Sequence, residues 1–225
     1  MKTNIARSIG LTLLAAVIFL PAATAWGKRF TPHIRPDKGV TQERKLSDYF
    51  APLKDTNLDT DVFILDSGEP GATGFLLGGT HGNELAGHVA ALLAVENAVV
   101  KTGKLLVVPY ANRSAISVAD TRKDIARRHA ITSRSGPREL PYGDRRTDPA
   151  DQGVDDPEKY TNPPGYTLEE GAESRNLNRT WPGDAEGTPT EQLSHALVRM
   201  ILAEEVDFAL DMHEADTPEK KSPGE

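Results

Sequence analysis

The pattern of hydrophobic and polar positions changes period several times along the chain, and each change marks an element. Ile9 to Leu20 is a short apolar run behind the basic Lys2 and Arg7. It closes on Ala23-Thr24-Ala25, the small-x-small pattern of signal-peptidase cleavage, so residues 1–25 read as a signal peptide. Residues 26–60 are polar, hold Pro32 and Pro36 and show no period; the expectation is an N-terminal arm with one helical turn near Leu46 to Phe50. Regular structure is expected from residue 61, with residues 61–225 forming one domain. Asp61 to Leu65 is a short apolar strand closed by Asp66, Ser67 and Gly68, and Gly74 to Gly79 reads as a second, buried strand.

From Glu84 the period lengthens. Leu85, Val89, Leu92 and Leu93 make one stripe of a helix that runs to about Val99. Lys104 to Pro109 is a third strand, and strand, helix, strand at this spacing predicts a parallel crossover. Residues 131–170 are rich in Pro, Gly and charge and are read as a polar surface loop or insertion. The acidic residues Asp148, Asp151, Asp155 and Asp156 within it lack the Gly and terminal Glu of a calcium loop and read as solvated charge. Order returns at Thr188-Pro189-Thr190-Glu191, a capping box with proline in the first helical position. Leu193, Leu197, Met200 and Ile201 are the apolar stripe of that helix. Val206 to Met212 is a last strand, with His213 at its carboxyl end.

Composition narrows the function classes. The 225 residues carry a formal net charge of −7 and no cysteine. Losing residues 1–25 would remove Lys2 and Arg7 and make the chain more acidic still, which argues against a nucleic-acid or anionic-membrane partner. An exported chain without disulfides must rely on a packed core. Export, with the periplasm as compartment, is the expectation; the sequence leaves the oligomeric state open.

The candidate chemistry lies at two strand ends and one turn. Gly78-Gly79-Thr80-His81-Gly82-Asn83-Glu84 sits where a strand gives way to a helix, the edge at which open α/β folds place ligands. His81 and Glu84 are three apart, and an imidazole with a carboxylate suits Zn²⁺, whose catalytic sites take three protein ligands and one water. His213 is a third ligand from another strand end. His88, one turn beyond Glu84, competes with it but reads better as a partly exposed helix residue. In Ser174-Arg175-Asn176-Leu177-Asn178-Arg179-Thr180-Trp181-Pro182-Gly183, Asn178 and Arg179 set an amide beside a guanidinium, a fork for a carboxylate, and Arg175 offers a second positive charge.

Together GGTHGNE, NLNRTWPG and DMHE, in that order, resemble the zinc carboxypeptidase clan, and most of all its succinylglutamate desuccinylase/aspartoacylase branch. The resemblance implies an α/β fold with a mixed, mainly parallel sheet flanked by helices. It implies zinc held by His81, Glu84 and His213, with Asn178 and Arg179 gripping the carboxylate of a small-molecule or peptide substrate. The implied reaction is hydrolysis of an amide next to a carboxylate, as in N-acyl amino acid deacylation. A metallocarboxypeptidase or peptidoglycan-peptide amidase is the neighbouring alternative, and a non-catalytic, metal-holding carboxylate-binding module is the alternative of another class. The family's general-base glutamate lies well beyond the second metal motif, whereas 12 residues follow His213 here. The chain is therefore expected to lack the C-terminal part of the fold, and no catalytic base is assigned. Glu214 would point to the opposite strand face from His213 and is a poor substitute. For the arginine that steadies the oxyanion, Arg113, Arg145, Arg146 and Arg175 all remain candidates.

Overall fold

In the computed structural model, residues 34–118, 128–133 and 136–214 are described, so the signal-peptide reading lies outside the described residues. Strands β1 (Gln42–Lys45), β2 (Asp61–Asp66) and β3 (Thr73–Leu77) precede helix α1 (Leu85–Asn97) and strand β4 (Lys104–Val108). A short helix α2 (Arg113–Ser117), a hairpin of β5 (Arg128–Ser133) and β6 (Gly136–Pro141), and a turn of helix α3 (Pro149–Gln152) follow. A small ladder of β7 (Tyr160–Thr161) and β8 (Thr167–Leu168) comes next, then helix α4 (Pro189–Ala203) and strand β9 (Phe208–Asp211).

The main sheet has the order β1-β2-β4-β3-β9. Strand β3 runs parallel to both β4 and β9, while β2 is antiparallel to β4 and to β1. The sheet is thus mixed, and its parallel character is confined to the half that carries the candidate ligands. The β3–α1–β4 connection joins neighbouring parallel strands, as its pattern predicts.

Cores form on both faces of the sheet. On one, Val62, Ile64, Phe75, Leu77, Leu106 and Val108 pack against Leu193, Ala196, Leu197 and Met200 of α4. On the other, Phe63, Leu65 and Val107 meet Ala91 and Val95 of α1. Helix α4 begins as its sequence predicts, with Pro189 at the first turn. The Glu191 carboxylate accepts the Thr188 N–H at 2.8 Å, and the Thr188 hydroxyl accepts the Glu191 N–H at 3.5 Å.

Three expectations change. The segment 26–60 is more than an arm. Its residues 42–45 add strand β1 to the sheet edge, 3-10 turns follow at Leu46–Asp48 and Ala51–Leu53, and Leu46, Leu53 and Leu58 are buried in the core. Isolated leucines without a period still bury apolar area when a neighbouring strand supplies the backbone partners. The stripe of α1 is rotated. Its buried face is Gly87, His88, Ala91, Leu92 and Val95, whereas Leu93 is 54% exposed. A helix apolar nearly all round has no unique face in sequence, and the small residues decide: a Cβ on Gly78 would lie 2.9 Å from the Ala91 Cβ, so helix and strand approach closely there. Finally, residues 131–170 carry β6, α3, β7 and β8, and the acidic residues do not form one solvated cluster. Asp151 is buried and accepts hydrogen bonds from Asn57 (2.8 Å) and Ser114, and Asp156 pairs with Arg175.

Candidate metal centre

The first site residues stand on the turn between β3 and α1. Gly79 has φ of +71° and is packed against Ile116 and the 109–110 backbone, so no other residue fits that bend. The turn then presents buried His81 and, at the start of α1, Glu84. The parallel pairing of β3 with β9 continues past the strand in the bond from Met212 N to Leu77 O (2.9 Å), which delivers His213 to the same edge. The close approach is permitted by Gly87, where a Cβ would run into the Met212 carbonyl.

His81, Glu84 and His213 converge as the sequence implies: one ligand atom from each lies within 4.8 Å of the others. His81 Nδ1 contacts Glu84 Oε1 at 2.6 Å and His213 Nδ1 contacts Oε2 at 2.7 Å. Behind them, His81 Nε2 faces Asn176 Oδ1 at 2.9 Å and His213 Nε2 faces Asp211 Oδ2 at 2.9 Å. Each imidazole thus meets an acceptor on both ring nitrogens, whereas a neutral ring has one N–H to donate. The two Nδ1 atoms and the Glu84 carboxylate are the groups that would hold a cation, whose charge would make good the protons the cluster is short of. Burial works to raise the Glu84 carboxyl, but the hydrogen bond and charge of His81, then His213, outweigh it and hold the carboxyl down at about 2. The donor set therefore fits Zn²⁺, with a buried anion, two imidazoles, and an outer hydrogen-bond partner for each ring. Asp211 is itself steadied by the Thr80 hydroxyl, which donates to Oδ1 at 2.8 Å.

His88 does not join this cluster. It is completely buried beside Tyr110, 5.6 Å between ring centroids, where the sequence reading has it partly exposed. Glu214 turns its carboxylate to the first turn of α1, accepting from Ala86 N at 2.6 Å.

The Asn-Arg segment lies one hydrogen bond from the metal cluster. Asn176 caps the 3-10 turn Leu177–Arg179, accepting the Asn178 N–H at 3.1 Å with the same Oδ1 that faces His81. The Asn178 side-chain amide has no hydrogen bond to any of the described residues. Arg179, its side chain 38% exposed, is held by Glu173 Oε2 (3.5 Å) and by the Asn178 carbonyl (3.2 Å). Arg175 is committed elsewhere: Nε and a terminal nitrogen grip Asp156, at 2.7 and 2.9 Å, and the other terminal nitrogen donates to Thr147 O.

Of the other arginines, Arg113 donates to the Asp59 carbonyl at 2.7 Å and Arg146 binds Glu173 and Glu170. Arg145 is the one that faces the metal cluster, its guanidinium 3.6 Å from Glu84 Oε1. A backbone clip puts it there: Gly82 N donates to Asp144 O and Gly143 N to Gly82 O, each at 2.8 Å. The segment that reads as a surface insertion therefore contributes a wall of the site. Asn176 and Asp211 open the NLNRTWPG and DMHE motifs, but the sequence analysis assigns them no role, and Glu173 lies outside any motif. For Asn176 and Asp211 the available signal is their place two residues before Asn178 and His213 inside those motifs; for Glu173 there is none.

Comparison with known proteins agrees with the motifs. Residues 159–222 match the succinylglutamate desuccinylase/aspartoacylase catalytic domain. No curated protein sequence matches the chain. Among solved structures, a succinylglutamate desuccinylase/aspartoacylase from Rhodobacter sphaeroides aligns at a TM-score of 0.44 and 22% identity, covering 70% of this chain and 33% of that one. An aspartoacylase family protein from Mesorhizobium loti aligns at 0.41 and 23% identity, covering 69% and 35%. A product-bound ectoine utilization protein from Ruegeria pomeroyi aligns at 0.41 and 22% identity, covering 67% and 32%. The chain thus spans about a third of the length of the structures it matches. Asn176, Asn178, Arg179 and His213 all lie within the stretch that matches the succinylglutamate desuccinylase/aspartoacylase catalytic domain.

Proposed function

We propose that this chain holds the metal and substrate-anchoring residues of an exported zinc hydrolase that cleaves an amide bond next to a carboxylate, of the N-acyl amino acid deacylase or desuccinylase type. The observation that carries the reading is the convergence of His81, Glu84 and His213, with an acceptor behind each imidazole. When bound, zinc polarises a carbonyl and makes water a nucleophile near neutral pH. The chain's own residues do the rest. Asn176 and Asp211 keep the two rings turned so that each Nδ1 is offered to the ion. Asn178 and Arg179 present an amide and a guanidinium to the substrate carboxylate, and Arg145 brings positive charge to where the carbonyl oxygen becomes negative. Arg175, bound to Asp156, is left out of this role. Export to the periplasm is supported by residues 1–25 alone.

The test is metal content by mass spectrometry on purified protein, followed by assays. About one zinc per chain is expected, lost in His81→Ala and in His213→Ala. No zinc in folded wild-type protein would sink the proposal. Release of the acyl acid from N-succinyl or N-acetyl amino acids, compared with removal of terminal residues from peptides, separates the deacylase from the carboxypeptidase. A second reading, a metal-holding module that binds carboxylates without turnover, draws support from Glu214, whose carboxylate is spent on α1 and does not stand in as a base. It predicts stoichiometric zinc and no product.

A further inference from the structure

Resting on the zinc reading above, we propose that Glu173 is a positioning residue for both halves of the site. Through the Asn176 amide it sets the His81 tautomer that leaves Nδ1 for the metal, and directly it holds the Arg179 guanidinium that meets the substrate carboxylate. A side-chain amide has two faces of nearly equal shape, and only its partners decide which faces which way. Asn176 is completely buried among three partners, of which the Asn178 N–H, at 3.1 Å from Oδ1, is the weakest by distance. Its Nδ2 donates to Glu173 Oε2 at 2.7 Å, and its Oδ1 is thereby turned to His81 Nε2 at 2.9 Å. An acceptor at Nε2 demands a proton there, and a neutral ring protonated at Nε2 keeps its Nδ1 lone pair for an ion.

The same carboxylate oxygen lies 3.5 Å from Arg179 Nε. Oε1 is bound by Arg146 through Nε at 3.2 Å and a terminal nitrogen at 2.5 Å, which stops the carboxylate from rotating. Burial raises the Glu173 carboxyl, but hydrogen bonds from Arg146 and Asn176 outweigh it, so the group stays ionised and acceptor-only. Three of these residues sit within one short stretch: Glu173 on the 3-10 turn Gly171–Arg175, Asn176 at the junction, and Arg179 on the next turn. A charge that only accepts has no donor face, so the amide has one satisfied orientation.

Glu173→Gln removes that rule at constant size. The glutamine can offer its own N–H, Asn176 can turn over at the expense of the bond from the Asn178 N–H, and Nδ2–H then faces His81 and forces the proton to Nδ1. Zinc affinity, read by competition with a chelator, is expected to fall about 10- to 100-fold. Succinate binding, read by calorimetry on zinc-loaded protein, is expected to weaken as Arg179 loses its anchor. Asn176→Ala should weaken zinc but spare succinate, and Arg179→Gln the reverse. The deciding variant is Asn176→Asp in the Glu173→Gln background. A carboxylate accepts from His81 whichever way it turns, so zinc affinity should return while succinate binding stays weak. A purely structural loss would not be rescued in one arm alone. Should Glu173→Gln not fold, judged by its melting temperature, Glu173→Asp gives the same two readouts in milder form. Zinc affinity unchanged in Glu173→Gln, or lost without rescue, overturns the proposal. Wild-type protein that takes no zinc overturns the hydrolase reading as well, and the two failures are told apart by the wild-type titration.

Discussion

His88 lies one helical turn past Glu84 and has no contact with the metal cluster; both its ring nitrogens are buried without a hydrogen-bond partner among the described residues. Burial pushes its pKa down to about 4, so the folded protein holds the ring neutral. The unfolded chain, with an ordinary imidazole, takes up a proton below about pH 6.5, so folding is penalised as pH falls from there to 4, by up to ~3 kcal/mol. Thermal melts of metal-free protein should lose stability through that window more steeply in the wild type than in His88→Leu. Parallel curves would show that His88 gains a partner in solution. The contrast with His81 is instructive: two histidines of one motif region, both buried, are separated in role by whether acceptors surround them.

At the scale of elements, the site depends on close backbone approach between α1 and the end of β9. Gly87 is the contact point, facing the Met212 carbonyl. Gly87→Ala adds one methyl, which favours a helix by nearly 1 kcal/mol in isolation. Here it must push the β9 end away, carrying His213 from Glu84. Zinc affinity is expected to drop by at least tenfold while the far side of the sheet is undisturbed; a variant that binds zinc normally would show that the strand end yields without cost. The hairpin β5–β6 is a second element with a job outside itself. Arg138 on β6 grips the Glu96 carboxylate on α1 with both terminal nitrogens, and Leu140 is buried beside Leu92. The chain that leaves the hairpin then runs directly to the Gly82 clip and Arg145.

For the whole molecule, the candidate metal ligands tie residue 81 to residue 213 across the parallel half of the sheet. Strand β9 is exposed along its length, Phe208 at 53% and Leu210 at 56%. It is joined to the sheet through β3, while Glu214 and His213 reach α1. A ligand that binds only the folded state adds stability by mass action, about 2.7 kcal/mol at one hundred times its dissociation constant. Zinc should therefore raise the melting temperature and a chelator lower it, and amide exchange in β9 should slow most. Equal protection of β9 with and without zinc would argue that the strand is already fully held.

Much of this was legible in the sequence because it rests on local chemistry. The capping box of α4, the strand–helix–strand order around GGTHGNE, the histidine at the end of β9 and the family resemblance all depend on neighbours within a few residues, where spacing constrains geometry. What tertiary structure decided depends on partners far along the chain. The face that α1 buries follows from small residues meeting β3. Leu46 and Leu58 became core because β1 pairs with β2. Arg145, one of four arginines alike in sequence, was chosen by two backbone hydrogen bonds between residues about sixty positions apart. Asn176 and Asp211 gained their roles because hydrogen-bond direction is a property of packed pairs, which no single strand or turn encodes.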